Sequence, residues 1–225
     1  NNPTGAPADL AFLEEAVAFA RRHTLLLCHD ASYCDITYDS FVAPSVLQVP
    51  GAREVAVEFN SLSKTFSMAG WRMGMVVGNA EALASLSHVK SNVDSGIFRP
   101  VQEAAVQALT VDPDWILERN EIYGSRQKLI QAALIRAGME TSPIRATLYV
   151  WARLPDGWTS EGFAEALLDR AGVAVAPGSF FGSAGEGYVR LSVTSPTEAI
   201  QAAMERVARF NDTHADRSGQ GRSSE

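Results

Sequence analysis

The chain contains little lysine, little cysteine and no long hydrophobic run. Its 225 residues carry 26 acidic and 19 basic side chains, which gives a net charge of −7. An acidic chain without a basic stripe lacks the electrostatic surface that nucleic acids or anionic bilayers require. The longest near-apolar stretches, residues 24–28 and 73–78, are far shorter than the about 20 residues of a membrane-spanning helix. The sequence therefore predicts no nucleic-acid partner and no membrane partner.

Cysteine and histidine are too few, and wrongly spaced, for a metal centre or a disulfide scaffold. Cys28 and Cys34 are the two cysteines and stand six positions apart, which matches no zinc spacing. We interpret both as structural thiols of a protein in a reducing, cytoplasmic compartment. The histidines are also interpreted as structural or exposed: His23, His29, His88 and His214. No metal site is predicted.

Hydrophobic periodicity predicts an α/β fold in the first half of the chain. An amphipathic helical pattern over residues 7–23 is followed by the apolar run at 24–28. Residues 55–59 and 73–78 are also short apolar runs without polar alternation, which is typical of parallel strands covered on both faces. We therefore expect residues 1–114 to form an α/β domain.

The second half has a different pattern. Helical periodicity continues over residues 80–90, 100–109 and 114–137, and the last of these is long enough to link two domains. Residues 147–154, 173–175 and 188–193 are predicted strands, and residues 160–171 and 196–210 are predicted helices. We expect residues 115–210 to form an interdomain helix with a small α+β domain, and the polar residues 211–225 to be a disordered tail.

Lysine is rare enough for each one to merit attention, because the chain has three lysines against 16 arginines. Lys64 lies between two predicted strands, is flanked by Ser61 and Ser63, and precedes Arg72 by eight positions. An amine can form an imine with a carbonyl cofactor, while hydroxyls and a guanidinium bind phosphate. The segment is therefore a candidate site for a phosphorylated carbonyl cofactor, and a solvated loop lysine is the alternative.

Residues 61–74 resemble the pyridoxal-phosphate attachment signature of class I/II aminotransferases at every defined position. Residues 2–5, Asn-Pro-Thr-Gly, resemble that family's loop of the same sequence, although alone they form an ordinary turn. Residues 30–33, Asp-Ala-Ser-Tyr, are similar to its Asp-x-x-Tyr motif, and residues 186–192 are similar to its C-terminal arginine segment. Four motifs in the family's order, over about residues 1–210, imply the fold-type I architecture, in which residues 1–114 are part of the large mixed-sheet, cofactor-binding domain.

The resemblance implies pyridoxal 5′-phosphate as cofactor and assigns partners to its ring. Lys64 is the amine that binds the cofactor and later acts as the catalytic base. Asp30 pairs with the pyridine nitrogen. In this role we expect the Asp30 carboxylate to be buried and charge-paired and to have a low pKa. Tyr33 and Asn2 contact the phenolic oxygen. Without the resemblance, an aspartate at the end of a strand is more often a helix cap.

The same resemblance assigns the phosphate and the substrate. Ser61, Ser63 and Arg72 bind the phosphate, whereas Arg190 and Asn2 bind the substrate, the arginine through the α-carboxylate. A surface arginine on an edge strand is the alternative interpretation of Arg190.

Residues 90–98 and 146–151 are most similar to the L,L-diaminopimelate aminotransferase group and its N-succinyl-diaminopimelate and alanine-type relatives. This implies ping-pong transfer of an amino group between L,L-diaminopimelate, or a related amino acid, and the 2-oxo acid 2-oxoglutarate. It also implies a homodimer, in which the loop at Ser91 and Asn92 reaches toward the neighbouring active site. A helix-capping loop is the alternative for these two residues.

The sequence departs from the family in where it starts, because it begins at the Asn-Pro-Thr-Gly loop without an initiator methionine. We expect a piece of a longer protein, whose preceding part supplies the glycine turn for the phosphate, the ring that stacks on the pyridine and an N-terminal arm. Residues 1–225 alone are then expected to be inactive. Three alternatives stay open: a C–S lyase of the same fold, a non-enzymatic regulator with an aminotransferase-like domain, and a fragment without activity. Intact Lys64, Asp30 and Arg190 argue against the regulator.

Overall fold

The computed structural model describes residues 1–219, with side chains for residues 1–210. The chain forms two compact units, one of Pro7–Asn120 and one of Asn1–Ala6 together with Glu121 onward. This division differs from the predicted boundary after residue 114. Residues 1–6 belong to the C-terminal unit because their turn lies on it: a Cβ at Gly5 would contact the Thr147 hydroxyl at 3.4 Å.

The unit Pro7–Asn120 contains three strands and most of the helices. Its strands are β1 (Leu27–Asp30), β2 (Ala56–Ser61) and β3 (Gly74–Gly78). Its helices are α1 (Leu10–Arg22), α2 (Ala52–Val55), α3 (Leu62–Thr65), α4 (Ala80–Val93), α5 (Arg99–Leu109) and α6 (Asp114–Arg136), the last of which continues past Asn120. Asp9 caps α1 by accepting a hydrogen bond from the Phe12 amide at 2.8 Å. The α/β architecture of the sequence prediction is confirmed.

The three strands form one mixed sheet in the order β1-β2-β3. β1 runs parallel to β2, with Asp30 opposite Phe59, but β3 is antiparallel to β2. The prediction of strands covered on both faces is wrong for β1 and β3. Cys28 is exposed, and Met75 and Val77 are 39% and 40% exposed. An apolar run indicates that its residues favour burial, but it does not indicate whether other described residues pack against them.

The core of this unit lies between α1 and the start of β2. It contains small and branched side chains: Leu13, Val17, Val46, Val49, Ala52 and Ala56. Leu13 and Val17 are four residues apart on one face of α1, so both reach the same cluster. This packing supports β2, whose far end carries Ser61.

The second unit is an antiparallel sheet with helices. Its strands are β4 (Glu140–Thr141), β5 (Tyr149–Arg153), β6 (Ala176–Pro177) and β7 (Tyr188–Ser192), in the order β4-β5-β7-β6. Its helices are the remainder of α6, α7 (Ser160–Ala171) and α8 (Thr197–Gly219). Val150 and Ala152 of β5 and Val189 and Leu191 of β7 are buried, so alternate residues build the core. The predicted strand at 173–175 lies slightly later in the chain, as β6.

Helix α8 extends to Gly219, past the boundary that we predicted at residue 210. The remainder of the predicted tail, residues 220–225, lies outside the described residues. Within the described part, no helix has both the length and the hydropathy to cross a bilayer. The described residues also contain no cluster of three or more histidine, cysteine or carboxylate side chains that could hold a metal.

Candidate active site

Lys64 lies in the short helix α3, directly after β2. Ser61 ends the strand and caps the helix, because its Oγ accepts a hydrogen bond from the Ser63 amide at 3.2 Å. Leu62 and Thr65 are buried and anchor the turn. The half-buried Lys64 places its Nζ 5.8 Å from the centre of the Tyr33 ring. The structure therefore brings together the lysine and tyrosine of two motifs about thirty positions apart in sequence.

Asp30 ends β1 at the same edge of the sheet. Because β1 and β2 are parallel, their carboxyl ends, Asp30 and Ser61, lie on one side, where ligands bind in α/β sheets. The Asp30 carboxylate is exposed, so the expectation of a buried carboxylate is wrong. It caps no helix either. Its Oδ1 instead accepts hydrogen bonds from the Ser32 amide at 3.1 Å and the Ser32 hydroxyl at 2.6 Å, which stabilises the turn that follows the strand.

Main-chain pairing places the segment that carries Arg72 beside the Ser61 end of β2. The Leu62 amide donates to the Met73 carbonyl at 3.2 Å, and Gly74 pairs with Ser61 in the β2–β3 register. A Cβ at Gly74 would approach the Asn60 carbonyl oxygen at 2.9 Å, which explains the glycine. Arg72 is exposed, has a left-handed φ of 53°, and donates from Nη1 to the Ala69 carbonyl at 3.1 Å. The two serines and the arginine are thus carried by adjoining segments.

Arg119, on α6, is a residue of this region that sequence reasoning missed. Its guanidinium is buried and donates to the main-chain carbonyls of Lys64, Thr65 and Asp35. The available signal was weak: Arg119 follows Trp115 by four positions, so it lies on an otherwise apolar face of the predicted helix. It contacts the lysine turn directly.

Glu58, in the middle of β2, was also missed and forms a buried polar cluster. Its Oε2 accepts from the Ser45 hydroxyl at 2.6 Å and the Val46 amide at 3.0 Å, and lies 3.1 Å from His29 Nδ1. Its Oε1 accepts from Asn60 Nδ2 at 3.1 Å. Burial raises the pKa of the Glu58 carboxyl, but the hydrogen bonds from Ser45, Asn60 and His29 outweigh it and hold this pKa below its ordinary value.

We expect Glu58→Gln to destabilise the protein by about 1–3 kcal/mol at pH 7, because an amide group must then face a hydrogen-bond donor. A lowered pKa stabilises the folded state above the ordinary glutamate pKa of about 4.3, and that contribution is lost as the pH falls through the folded-state pKa. Urea unfolding at pH 7 and at acid pH measures both effects. Glu54→Gln is the control, since Glu54 is an exposed partner of Arg21. Equal effects of the two substitutions would contradict the argument.

Cys34 follows Tyr33 and is an unreactive thiol. Burial and the charge of Asp35 raise the pKa of the Cys34 thiol to about 12. Its Sγ also contacts Asn60 Oδ1 at 3.4 Å. Cys28 and Cys34 are both free thiols.

Arg190 lies in the second unit, inside the sheet. β7 is flanked by β5 and β6, with Trp151 and Ala176 opposite Arg190, so the edge-strand alternative is wrong. Its Nη1 donates to the Asn2 side-chain oxygen at 2.6 Å. The structure therefore joins the first and last motifs, although 188 positions separate them.

Two aromatic rings hold the Arg190 guanidinium. Its Cζ lies 4.1 Å from the centre of the Tyr149 ring and 4.6 Å from that of Phe181. Trp151 supports Phe181 in an edge-on contact at 5.8 Å. Cation–π contacts on this scale restrict the guanidinium plane and leave its remaining N–H groups for a planar anion.

The predicted site residues thus belong to two units. Pro7–Asn120 contains Asp30, Tyr33, Ser61, Ser63, Lys64 and Arg72, and the other unit contains Asn2 and Arg190. In the first unit Lys64 lies beside Tyr33, and Asp30 and Ser61 end neighbouring strands; in the other unit Arg190 donates to Asn2.

The segment at Ser91 and Asn92 is not a loop but the last turn of α4. The Ser91 hydroxyl and the Asn92 amide both donate to the His88 carbonyl at 2.8 Å. Lys90 and Asp94 form an ion pair at 2.6 Å. These contacts favour the helix-capping interpretation.

Comparisons with known proteins identify the family of the chain. The family model "Aminotransferase class I and II" matches residues 1–207. The LL-diaminopimelate aminotransferase of Moorella thermoacetica is 47% identical over 209 residues, which cover 93% of this chain and 54% of that protein. The LL-diaminopimelate aminotransferase 2 of Trichormus variabilis is also 47% identical, over 92% of this chain and 53% of that protein.

Solved structures show the same fold. Apo-BacF from Bacillus subtilis superposes with a TM-score of 0.89 at 38% identity, covering 94% of this chain and 56% of that one. A probable N-succinyldiaminopimelate aminotransferase from Thermus thermophilus superposes with a TM-score of 0.88 at 41% identity, covering 93% and 56%. The chain spans about half the length of the curated relatives it matches. The chain therefore belongs to the class I and II aminotransferase family and has the α/β fold of fold-type I.

Proposed function

We propose that the whole protein is a pyridoxal 5′-phosphate-dependent aminotransferase. The observation that carries this proposal is the position of Lys64, whose amine lies 5.8 Å from the Tyr33 ring at the edge where β1 ends in Asp30. An amine, a phenol and a carboxylate at one strand edge are the groups that a phosphorylated pyridine aldehyde requires. The names of the relatives support the same activity.

The donor set fits this cofactor. Ser61 and Ser63 offer hydroxyls at the turn that carries Lys64, and Arg72 adds a guanidinium on the segment paired to Ser61. These are strong partners for a phosphate. Asp30 is exposed, so its carboxylate is accessible to a ring nitrogen. When bound, pyridoxal phosphate supplies an aldehyde for amines and a ring that accepts an electron pair.

Each residue of the proposed site then has its own role in the reaction. Lys64 Nζ holds the cofactor, yields its place to the substrate amine, and takes the proton from the substrate Cα. Asp30 keeps the proton on the ring nitrogen, which preserves the ring as an electron sink. Tyr33 and Asn2 donate to the phenolic oxygen. Release of the first product before the second substrate binds gives the ping-pong order.

Arg190 holds the α-carboxylate of both substrates in this proposal. Asn2, Tyr149 and Phe181 fix its guanidinium, as measured above. We propose L,L-diaminopimelate or a related amino acid as donor and 2-oxoglutarate as acceptor, supported by the names of the relatives. A homodimer and a cytoplasmic location stay predictions.

The test is a panel of amino donors with 2-oxoglutarate, measured as glutamate formed by the complete protein that the gene encodes. We expect L,L-diaminopimelate to give the highest kcat/KM. Alanine or aromatic donors ahead of it by a wide margin would contradict the substrate. Pyruvate and ammonia from cystathionine, without glutamate, would show a C–S lyase, and no turnover of any substrate would favour the regulator.

We expect Arg190→Lys to raise KM for the amino donor and for 2-oxoglutarate together, by about ten- to a hundredfold. Lysine keeps the charge but loses the planar pair of donors that binds a carboxylate. Steady-state kinetics with both substrates measures the change. Arg153→Lys is the control, because Arg153 lies at the exposed end of β5 and pairs with Glu140. A KM rise confined to one substrate would contradict the assignment to the shared α-carboxylate.

A further inference from the structure

We propose that Arg119 is a positioning residue that fixes the lysine turn against the loop after β1, and so sets where the Lys64 amine lies. The inference rests on the proposed function, in which Lys64 bears the cofactor. It adds a residue that none of the four motifs contains.

The guanidinium of Arg119 connects two segments. On one side Nη1 donates to the carbonyl of Thr65 and, at 3.3 Å, to that of Lys64. On the other side Nη2 donates to the Asp35 carbonyl at 2.7 Å. Arg119 is 7% exposed, so these bonds are shielded from water. Asp35 is two positions after Tyr33, which means that one side chain holds both the lysine turn and the tyrosine loop.

Neighbouring side chains restrict the guanidinium. Asn120 Oδ1 accepts from Arg119 Nη2 at 2.8 Å, and Asn120 Nδ2 donates to the Asp35 carbonyl at 2.9 Å. The Arg119 Cζ lies 5.4 Å from the centre of the Trp115 ring. That ring in turn stacks on Phe66, at 6.5 Å with an interplanar angle of 11°. The first turns of α6 therefore contact the residues that surround Lys64.

The position of these contacts explains why they matter for Lys64. The helix α3 has four residues, and at its C-terminal end the Lys64 carbonyl also accepts a long bond from the Ser67 amide at 3.5 Å. Arg119 supplies donors to the Lys64 and Thr65 carbonyls, and a cation is favourable at a helix C-terminus. The Thr65 hydroxyl adds a hydrogen bond to Asp35 Oδ2 at 2.9 Å. Loss of Arg119 would remove three of the hydrogen bonds that this side chain makes to the lysine turn and the tyrosine loop.

Arginine is required here because of its shape. Its donors form a rigid planar fork that reaches two carbonyls on one side and one on the other, whereas a lysine ammonium is a compact point donor. Arg119→Lys keeps the buried charge but loses the simultaneous contacts. A displacement of about 1 Å at a reacting group costs up to about a hundredfold in rate. In the loaded protein, the pH dependence of the cofactor absorbance also reports the position of this turn, because it depends on the groups that surround the cofactor.

The experiment uses the complete protein loaded with pyridoxal phosphate and compares Arg119→Lys with wild type. The first measurement is the pH midpoint of the visible absorbance of the bound cofactor, without substrate. The second is kcat and KM for both substrates. We expect the midpoint to move by about half a pH unit or more and kcat to fall about tenfold or more, with each KM changed less than about threefold.

Arg126→Lys is the matched control. Arg126 is on the same helix and also donates to a hydroxyl and a carbonyl, those of Thr197 and Val193, but in the other unit. We expect its pH midpoint and kcat to equal those of wild type. If Arg119→Lys lowers the melting temperature but leaves the midpoint and kcat unchanged, the proposal is overturned.

Asn120→Ala is the second variant, for the case that Arg119→Lys does not fold. It keeps the guanidinium but removes its amide partner and one donor to Asp35, so we expect a smaller change in the same direction, about threefold in kcat with a measurable midpoint shift. An unchanged midpoint and kcat in folded Asn120→Ala would also overturn the proposal. Borohydride reduction and peptide mapping of wild type separate the two hypotheses. Cofactor attached to a lysine other than Lys64 would refute the proposed function. Cofactor attached to Lys64, together with an unchanged pH midpoint and kcat in Arg119→Lys, would refute the inference alone.

Discussion

Replacing Lys64 by alanine is expected to lower transamination by about 10⁴-fold or more and to abolish the visible absorbance of the bound cofactor. Lys64 combines two functions in one amine, the covalent attachment of the cofactor and the transfer of the Cα proton. General acid–base catalysis alone contributes about 10²–10⁴-fold, and the loss of attachment adds to it. The measurement is made on the complete protein, with absorbance and single-turnover kinetics.

The other two lysines are matched controls. Lys90 lies in the last turn of α4 and pairs with Asp94, and Lys128 lies on α6, in the other unit. We expect Lys90→Ala and Lys128→Ala to keep the absorbance and the turnover. If borohydride reduction placed the cofactor on Lys90 or Lys128, the assignment of Lys64 would be wrong. Methylamine offers a further check, because an added small amine restores part of the proton transfer only where the missing group is a base.

The sequence was sufficient to predict those residues of the candidate site whose side-chain chemistry and whose position after a predicted strand both indicate a ligand-binding role. Lys64 and Asp30 follow apolar runs that had to be strands, and the carboxyl ends of parallel strands meet at one edge. The family resemblance assigned Asn2 and Arg190 to substrate binding, but nothing in the sequence predicted the hydrogen bond between their side chains, because 188 positions separate the two residues.

What sequence could not predict depends on long-range packing. A short apolar run such as residues 73–78 favours a strand but carries no information on its direction, so the mixed sheet came from the family resemblance, and neither the antiparallel direction of β3 nor the exposure of Met75 was predicted. Arg119 was missed because its partners are main-chain carbonyls. Every residue has such a carbonyl, so the sequence does not indicate which of them accept a hydrogen bond from a side chain. Glu58 was missed for a related reason: the partners that explain a carboxylate inside an apolar strand include Ser45 and His29, which are distant in sequence and which the fold brings to it.

The second large effect is expected at Asp30. Asp30→Ala should still take up the cofactor, because Lys64 and the phosphate ligands are unchanged, but transamination should fall by about 10³-fold or more. The physical reason is electronic: without a carboxylate the ring nitrogen loses its proton, and a neutral ring stabilises the developing carbanion poorly. Cofactor affinity, followed by absorbance, separates this effect from a loss of binding.

Two further variants isolate the charge of Asp30 from its structural contact. Asp30 Oδ1 accepts from the Ser32 amide and hydroxyl, so a substitution there could also loosen the turn that leads to Tyr33. Asp30→Asn keeps an oxygen for those donors and removes only the charge, and we expect it to lose nearly as much activity as Asp30→Ala. Ser32→Ala keeps the charge and removes the hydroxyl bond at 2.6 Å, and we expect it to lose less than about tenfold. Near-normal turnover in Asp30→Asn would show that Asp30 acts through the turn, and the role assigned to its carboxylate would have to be withdrawn.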